Sequence, residues 1–99
     1  MKTIVNKIPY EERVKTYTNA LCRYGRNAQM VVALEELSEC QKEICKILRG
    51  GGDLEHLAEE IADATIMLEQ LRLIFSINDL VGKKMDEKIL RLENRLKET

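Results

Sequence analysis

Three consecutive glycines, Gly50-Gly51-Gly52, limit what this chain can become more than any other feature. A glycine run stops a helix and leaves the backbone free to turn. The sequence on either side is long, charged and almost free of breakers. The one proline, Pro9, suits the first turn of a helix. Two long helices joined by a short turn lie side by side and antiparallel, so a helical hairpin is expected across the glycines.

The rest of the chain extends that reading. A first helix is expected from about Pro9 to Tyr24, stopping at Gly25, and a second from about Asn27 to Arg49. Asp53 is a good N-cap for a third helix reaching about Phe75. Ser76-Ile77-Asn78-Asp79 breaks the pattern, with Asn78 a cap for a fourth helix that carries Met85, Ile89, Leu92 and Leu96 on one face. No strand, low-complexity tract or internal repeat stands out. The expected fold is all-α and four-helix bundle-like, one domain over residues 1–99.

Composition narrows the function classes. Hydrophobic residues make up 44% of the chain, with no Trp and one Phe, so the core must be aliphatic. Sixteen basic residues against seventeen acidic ones give a net charge of −1, which offers no general attraction to a nucleic-acid polymer or an acidic membrane. No apolar stretch approaches the roughly 20 residues of a membrane span. Met1–Asn6 has no long apolar run, so no signal peptide is expected. Cys22, Cys40 and Cys45 form no Cys-x-x-Cys pair, and with the single His56 they lack the spacing of a zinc site. Reduced thiols in a cytoplasmic protein are the simplest reading.

The acids carry the functional signal. A helix advances about 100° per residue. On the second helix Leu34, Leu37, Ile44 and Leu48 form an apolar stripe, while Glu35, Ser38, Lys42, Lys46 and Arg49 face solvent. Glu36, Glu39 and Glu43 form a third stripe, extended at its ends by Val32 and Ile47. On the third helix Glu60 and Asp63 share a face with Met67, Leu71 and Ile74, where a core should lie; Glu55, Glu59 and Glu69 point elsewhere. A buried carboxylate must be neutralised, paired or bound to a metal. A divalent cation would satisfy Glu36, Glu39, Glu60 and Asp63 together. His56 lies near the same longitude one turn earlier and reads as structural, since magnesium prefers oxygen ligands. The competing reading is a solvated acidic face.

Glu36-Leu37-Ser38-Glu39 followed after twenty residues by Glu60-Ile61-Ala62-Asp63 resembles the ExxE…ExxD signature of the MazG-like, all-α nucleoside triphosphate pyrophosphohydrolases. The resemblance covers roughly residues 24–95. It extends to Glu35 and Glu59 beside the two halves and to Asp86-Glu87-Lys88-Ile89-Leu90-Arg91, similar to the family's later Lys-x-x-Arg helix. It implies a metal-binding helical hairpin in which Glu36, Glu39, Glu60 and Asp63 hold Mg2+ and form the catalytic centre, with Glu35 and Glu43 in outer roles. It implies Lys88 and Arg91 as phosphate clamps and Gln29 as a contact near the base. The implied reaction releases a nucleoside monophosphate and pyrophosphate from a nucleoside triphosphate, with any of the four acids able to orient the water.

Two alternatives remain open on the residues alone. One is a non-enzymatic helical interaction module, since the apolar face of the fourth helix equally suits a partner helix. The other is a nucleotide-sensing module that keeps the fold and hydrolyses poorly. The stretch Ile61–Phe75 is apolar on more than one side, more than a 99-residue monomer can cover. A homodimer or homotetramer is therefore expected, as the resemblance also implies, with an interface near Ile66 and Leu73.

Overall fold

Helix α1 spans Tyr10–Tyr24, α2 Arg26–Leu48, α3 Leu54–Ile74 and α4 Asn78–Lys97. The computed structural model describes residues 7–98. The opening segment Met1–Asn6, read above as carrying no signal peptide, lies outside them. Among the described residues there is no strand, and no helix is long and apolar enough to cross a membrane.

Local chemistry sets the boundaries. Gly25 ends α1 with φ 93°, its N–H donating to the Leu21 carbonyl at 2.9 Å. Helix α2 closes at Gly50, where φ is 90°. The Gly51 N–H reaches back to the Lys46 carbonyl at 2.8 Å and the Gly50 N–H to that of Ile47 at 3.0 Å. This double bond pattern satisfies the carbonyls a helix end leaves open, and it needs a left-handed residue that glycine adopts without strain. Asp53 then caps α3, its side chain accepting from the His56 backbone N–H at 2.7 Å, as its sequence position predicts. The same closing pattern ends α3, with Ser76 in the left-handed position at φ 53° and the Ile77 N–H donating to the Arg72 carbonyl at 2.9 Å. Asn78 differs from expectation. It lies inside α4 behind Ile77 and makes no cap; its Oδ1 accepts from Arg72 Nη1 at 3.2 Å instead.

The hairpin of α2 and α3 is the one extensive helix pair. Its buried positions, Gln29, Ala33 and Glu43 on α2 with Ala64, Met67 and Gln70 on α3, show how it is built. Two alanines let the backbones approach, and polar pairs recur along the seam. Gln29 meets Gln70, Glu36 meets Asp63 and Glu43 meets His56. Successive pairs are seven residues apart on each helix, two turns, so all three lie on one line in a single antiparallel register.

The apolar stripe of α2 falls on the outside. Leu34 is 69% exposed and Leu48 81%, with Ile44 also exposed. The acid-bearing stripe, not the leucine stripe, therefore packs against α3. Tyr17 of α1 adds the remaining large buried side chain, and α1 is tied to α3 through Arg13 and Tyr17 on Glu69. Helix α4 buries no residue at all and joins α3 through the two Arg72 contacts near its start, to Asn78 and to Met85 Sδ. The chain's radius of gyration is 16.7 Å, against about 12.6 Å for a compact domain of its length.

Candidate metal centre

The acids meet halfway along the hairpin seam. Glu36 from α2 and Glu60 and Asp63 from α3 each present a carboxylate oxygen within 4.8 Å of the others. Glu36 and Glu60 are half-buried and Asp63 is exposed, so the cluster opens to solvent on the Asp63 side. Glu60 and Asp63 share a helix face because residues three apart project together. Glu36 joins them through the helix pairing alone.

The electrostatics are unfavourable as they stand. Among the described residues no Lys or Arg forms an ion pair with Glu36, Glu60 or Asp63. The Glu36 carboxyl is held above the usual carboxylate range, first by burial, then by the hydrogen bond it shares with Asp63 and by the negative charges of Asp63, Glu60 and Glu39. A proton relieves this crowding at low pH; a bound cation would relieve it at neutral pH. The three-oxygen donor set suits a hard divalent ion such as Mg2+, which keeps several waters and accepts few protein ligands.

The other expected residues are placed differently. Glu39 stands apart from the trio, exposed and paired with Lys42 at 3.1 Å. Its charge reaches Glu36, but its carboxylate is outside the cluster. Gln29 is buried, its Nε2 donating to Gln70 Oε1 at 2.7 Å. Lys88 and Arg91 are exposed on α4; Arg91 borders a shallow hollow with Glu87, Leu90 and Arg95, and neither cation contacts the acids. Glu35 is exposed.

Two arrangements escaped the sequence reading. At the glycine end of the seam Glu43 is buried, and its Oε2 lies 2.9 Å from His56 Nδ1, while His56 Nε2 faces Glu60 Oε2 at 3.7 Å. The two-turn spacing was the available signal: once Glu36 and Asp63 are taken as opposite, Glu43 must fall opposite His56. Between α1 and α3 lies a groove of about 500 Å³, walled by Ile8, Tyr17, Ala20, Ala62 and Ile66, with Arg13, Glu69 and Gln70 at its polar edge. Arg13 pairs with Glu69 at 3.2 Å and the Tyr17 hydroxyl donates to the same carboxylate. Burial and the Glu69 charge push the Tyr17 phenol up to about 12, so it stays a donor. Gln70 links the two regions, lining the groove in front of Gln29.

Fold and site together define an all-helical protein whose antiparallel hairpin carries a carboxylate cluster able to hold a divalent cation. No protein-family model matches the chain, and no curated protein or solved structure matches it significantly.

Proposed function

We propose that this chain is a magnesium-dependent nucleoside triphosphate pyrophosphohydrolase of the MazG-like kind. The observation that carries the reading is the convergence of Glu36, Glu60 and Asp63 oxygens within 4.8 Å across two helices, with no Lys or Arg paired to them among the described residues. These are three of the four acids of the ExxE…ExxD pattern in the sequence, Glu39 standing outside the cluster.

Glu36, Glu60 and Asp63 hold the ion, with Glu39 one turn along α2 able to join by releasing Lys42. Bound Mg2+ supplies charge neutralisation for the triphosphate oxygens. A carboxylate of the same cluster orients the attacking water and takes its proton. The water oxygen bonds to the α-phosphorus, the bond to the bridging oxygen breaks, and pyrophosphate leaves with the β- and γ-phosphates. The groove between α1 and α3 begins at Ala62, next to Asp63 in the chain, and its apolar walls with few polar groups suit a nucleoside. Gln29 acts there through Gln70. The active form is a homodimer or homotetramer; contacts near Ile66 and Leu73 would close over the groove, of which Ile66 is a wall, and Ile61, Leu68 and Phe75 offer an exposed apolar surface on the other side of α3.

One observation favours an interaction module instead: Met85, Ile89 and Leu92 are all exposed on one face of α4, as a helix that docks on another protein would leave them. A panel of standard and modified nucleoside triphosphates, assayed with magnesium for pyrophosphate release, separates the readings. Magnesium-dependent release of pyrophosphate from at least one triphosphate is expected. Neither release nor magnesium-dependent nucleotide binding across the panel would leave the interaction module as the better account.

A further inference from the structure

Helix α4 buries no residue. It therefore lacks the packing of an amphipathic face that gives most helices in proteins their stability. Its apolar side chains nevertheless follow a strict order. Met85, Ile89, Leu92 and Leu96 are spaced four, three and four apart. That alternation makes the narrow seam of a two-stranded helical pair, not the broader face of a helix laid on a globular core. Met85 is 49% exposed, Ile89 59% and Leu92 51%. Arg72 Nη2 reaches the Met85 sulfur at 3.2 Å and still leaves half of that residue uncovered.

The charges beside the seam are sorted by sign. In heptad positions a to g, the spacing sets Ile89 at a and Met85 and Leu92 at d. A β-branched residue at a with leucine at d favours two parallel strands. The flanking g positions hold Lys88 and Arg95, and the flanking e positions hold Asp86 and Glu93. All four side chains are exposed, and among the described residues none forms an ion pair within the chain. The ion pair that α4 does make, Lys84 with Glu87 at 3.5 Å, lies at positions c and f on the outer side. When two such helices run parallel, each g residue meets the e residue of the partner's next heptad, so Lys88 faces Glu93 of the second copy. The two-fold axis makes that contact twice. When they run antiparallel, g faces g and e faces e, which sets base against base and acid against acid.

We propose that α4 pairs with α4 of a second copy of this chain, parallel and in register, with Met85, Ile89 and Leu92 in the seam and Lys88 against Glu93 across it. The apolar seam supplies the affinity, and the charges choose the direction. This deepens the reading of the chain as a homo-oligomer by naming a surface apart from α3, and it does not depend on the cation site. The seam is short. Gly82 to Leu96 covers about 22 Å of helix, less than the roughly three to four heptads of a free-standing coiled coil. The pairing therefore belongs to the folded chain and not to an α4 peptide.

Sedimentation velocity of the full chain across the micromolar range tests it. The parent should self-associate. Ile89 is exposed, so Ile89→Lys removes no packing from the single chain. It should raise the dissociation constant at least about tenfold, because it brings two charges together in an apolar seam. Lys88→Glu reads the direction. In the parallel pair it sets a glutamate against Glu93 and should weaken association about severalfold; adding Glu93→Lys should restore it. In an antiparallel pair the same single change would relieve a basic pair and tighten association. Tightening by Lys88→Glu overturns the parallel pairing. Self-association indifferent to Ile89→Lys overturns this inference and leaves α3 as the assembly surface. A parent that stays monomeric throughout overturns both this inference and the oligomeric reading.

Discussion

The α2–α3 hairpin and α4 are built on opposite plans. The hairpin keeps its polar groups inside, with Gln29–Gln70, Glu36–Asp63 and Glu43–His56 along the seam, and leaves Leu34, Ile44 and Leu48 outside. Helix α4 has an ordinary amphipathic face, with Met85, Ile89 and Leu92 in line, and buries none of it. The hairpin thus keeps its polar pairs on the seam and leaves apolar groups outside, and the apolar area left over on both elements is what assembly would use. The proposed chemistry and the proposed assembly thus fall on different surfaces of the same helices.

The sharpest way to break that division is at the seam. Asp63→Ala should reduce magnesium-dependent hydrolysis by more than the roughly 10–100-fold lost when a group merely supporting a metal ligand is removed. Its metal-free thermal stability should hold or rise, since a crowded charge is gone. Unchanged turnover in a folded variant would sink the metal-site assignment. On the outer surface, Leu68→Arg should raise the dissociation constant of the assembly on the order of a hundredfold, because an unpaired charge is costly in an apolar contact. Sedimentation of the parent protein as a monomer at micromolar concentration would reject the premise.

Smaller effects sharpen the comparison. Arg91→Ala should lower kcat/KM roughly tenfold to a hundredfold, the worth of a charge-assisted phosphate contact of about 1.5–3 kcal/mol, with Glu93→Ala as the control. Among the described residues Arg91 forms no ion pair with Glu36, Glu60 or Asp63, so a mixed assembly of Arg91→Ala and Asp63→Ala subunits that regains activity would place the clamp across a subunit boundary. Gln29→Ala should destabilise the fold by about 1–3 kcal/mol, because the Gln70 carbonyl is left buried without its donor; chemical denaturation measures this. Loss of turnover without loss of stability would restore Gln29 as a direct substrate contact.

The smallest effect concerns pH. Glu36 is raised in the folded chain, so its contribution to stability is full below the ordinary glutamate range and is lost as pH rises through the raised value. Without metal, Glu36→Gln should therefore gain a few degrees of Tm over the parent at pH 7.5 and much less at pH 4. A saturating divalent cation should erase the parent's deficit. Equal melting of both proteins at the two pH values would show that the crowding carries no cost.

Much of the architecture was legible in the residues. Gly25, Gly50 and Asp53 act at the helix ends where their chemistry requires, and the inward phase of Glu60 with Met67 follows from helical repeat alone. What periodicity could not supply was a partner for each face. It gives the angle of a side chain around its own helix, not the level of the neighbouring helix it meets. Leu34 and Leu48 read as part of an apolar stripe whose partner periodicity could not name, and they lie outside. His56 read as structural with no partner named, and Glu43 stands opposite it at 2.9 Å. Glu39 has the right angle beside Glu36, yet its exposed position and Lys42 draw it out of the cluster.

The two-turn spacing of the seam has one more consequence, for which registers the hairpin can reject. Sliding α3 along α2 by one repeat would set Glu36 opposite His56 and Gln29 opposite Asp63, both easier neighbours than two carboxylates. Side-chain preference at the centre of the seam thus favours a wrong alignment, a local frustration of the kind found where a fold serves a site. The glycines oppose it from the end: moving the turn by half a repeat would place Gly50–Gly52 inside the first coil of α3 and put the helix-forming stretch Ile44–Leu48 at the bend, each glycine within a helix costing about 1 kcal/mol. The position of the triglycine thus acts as an address, and it forces the acids to meet.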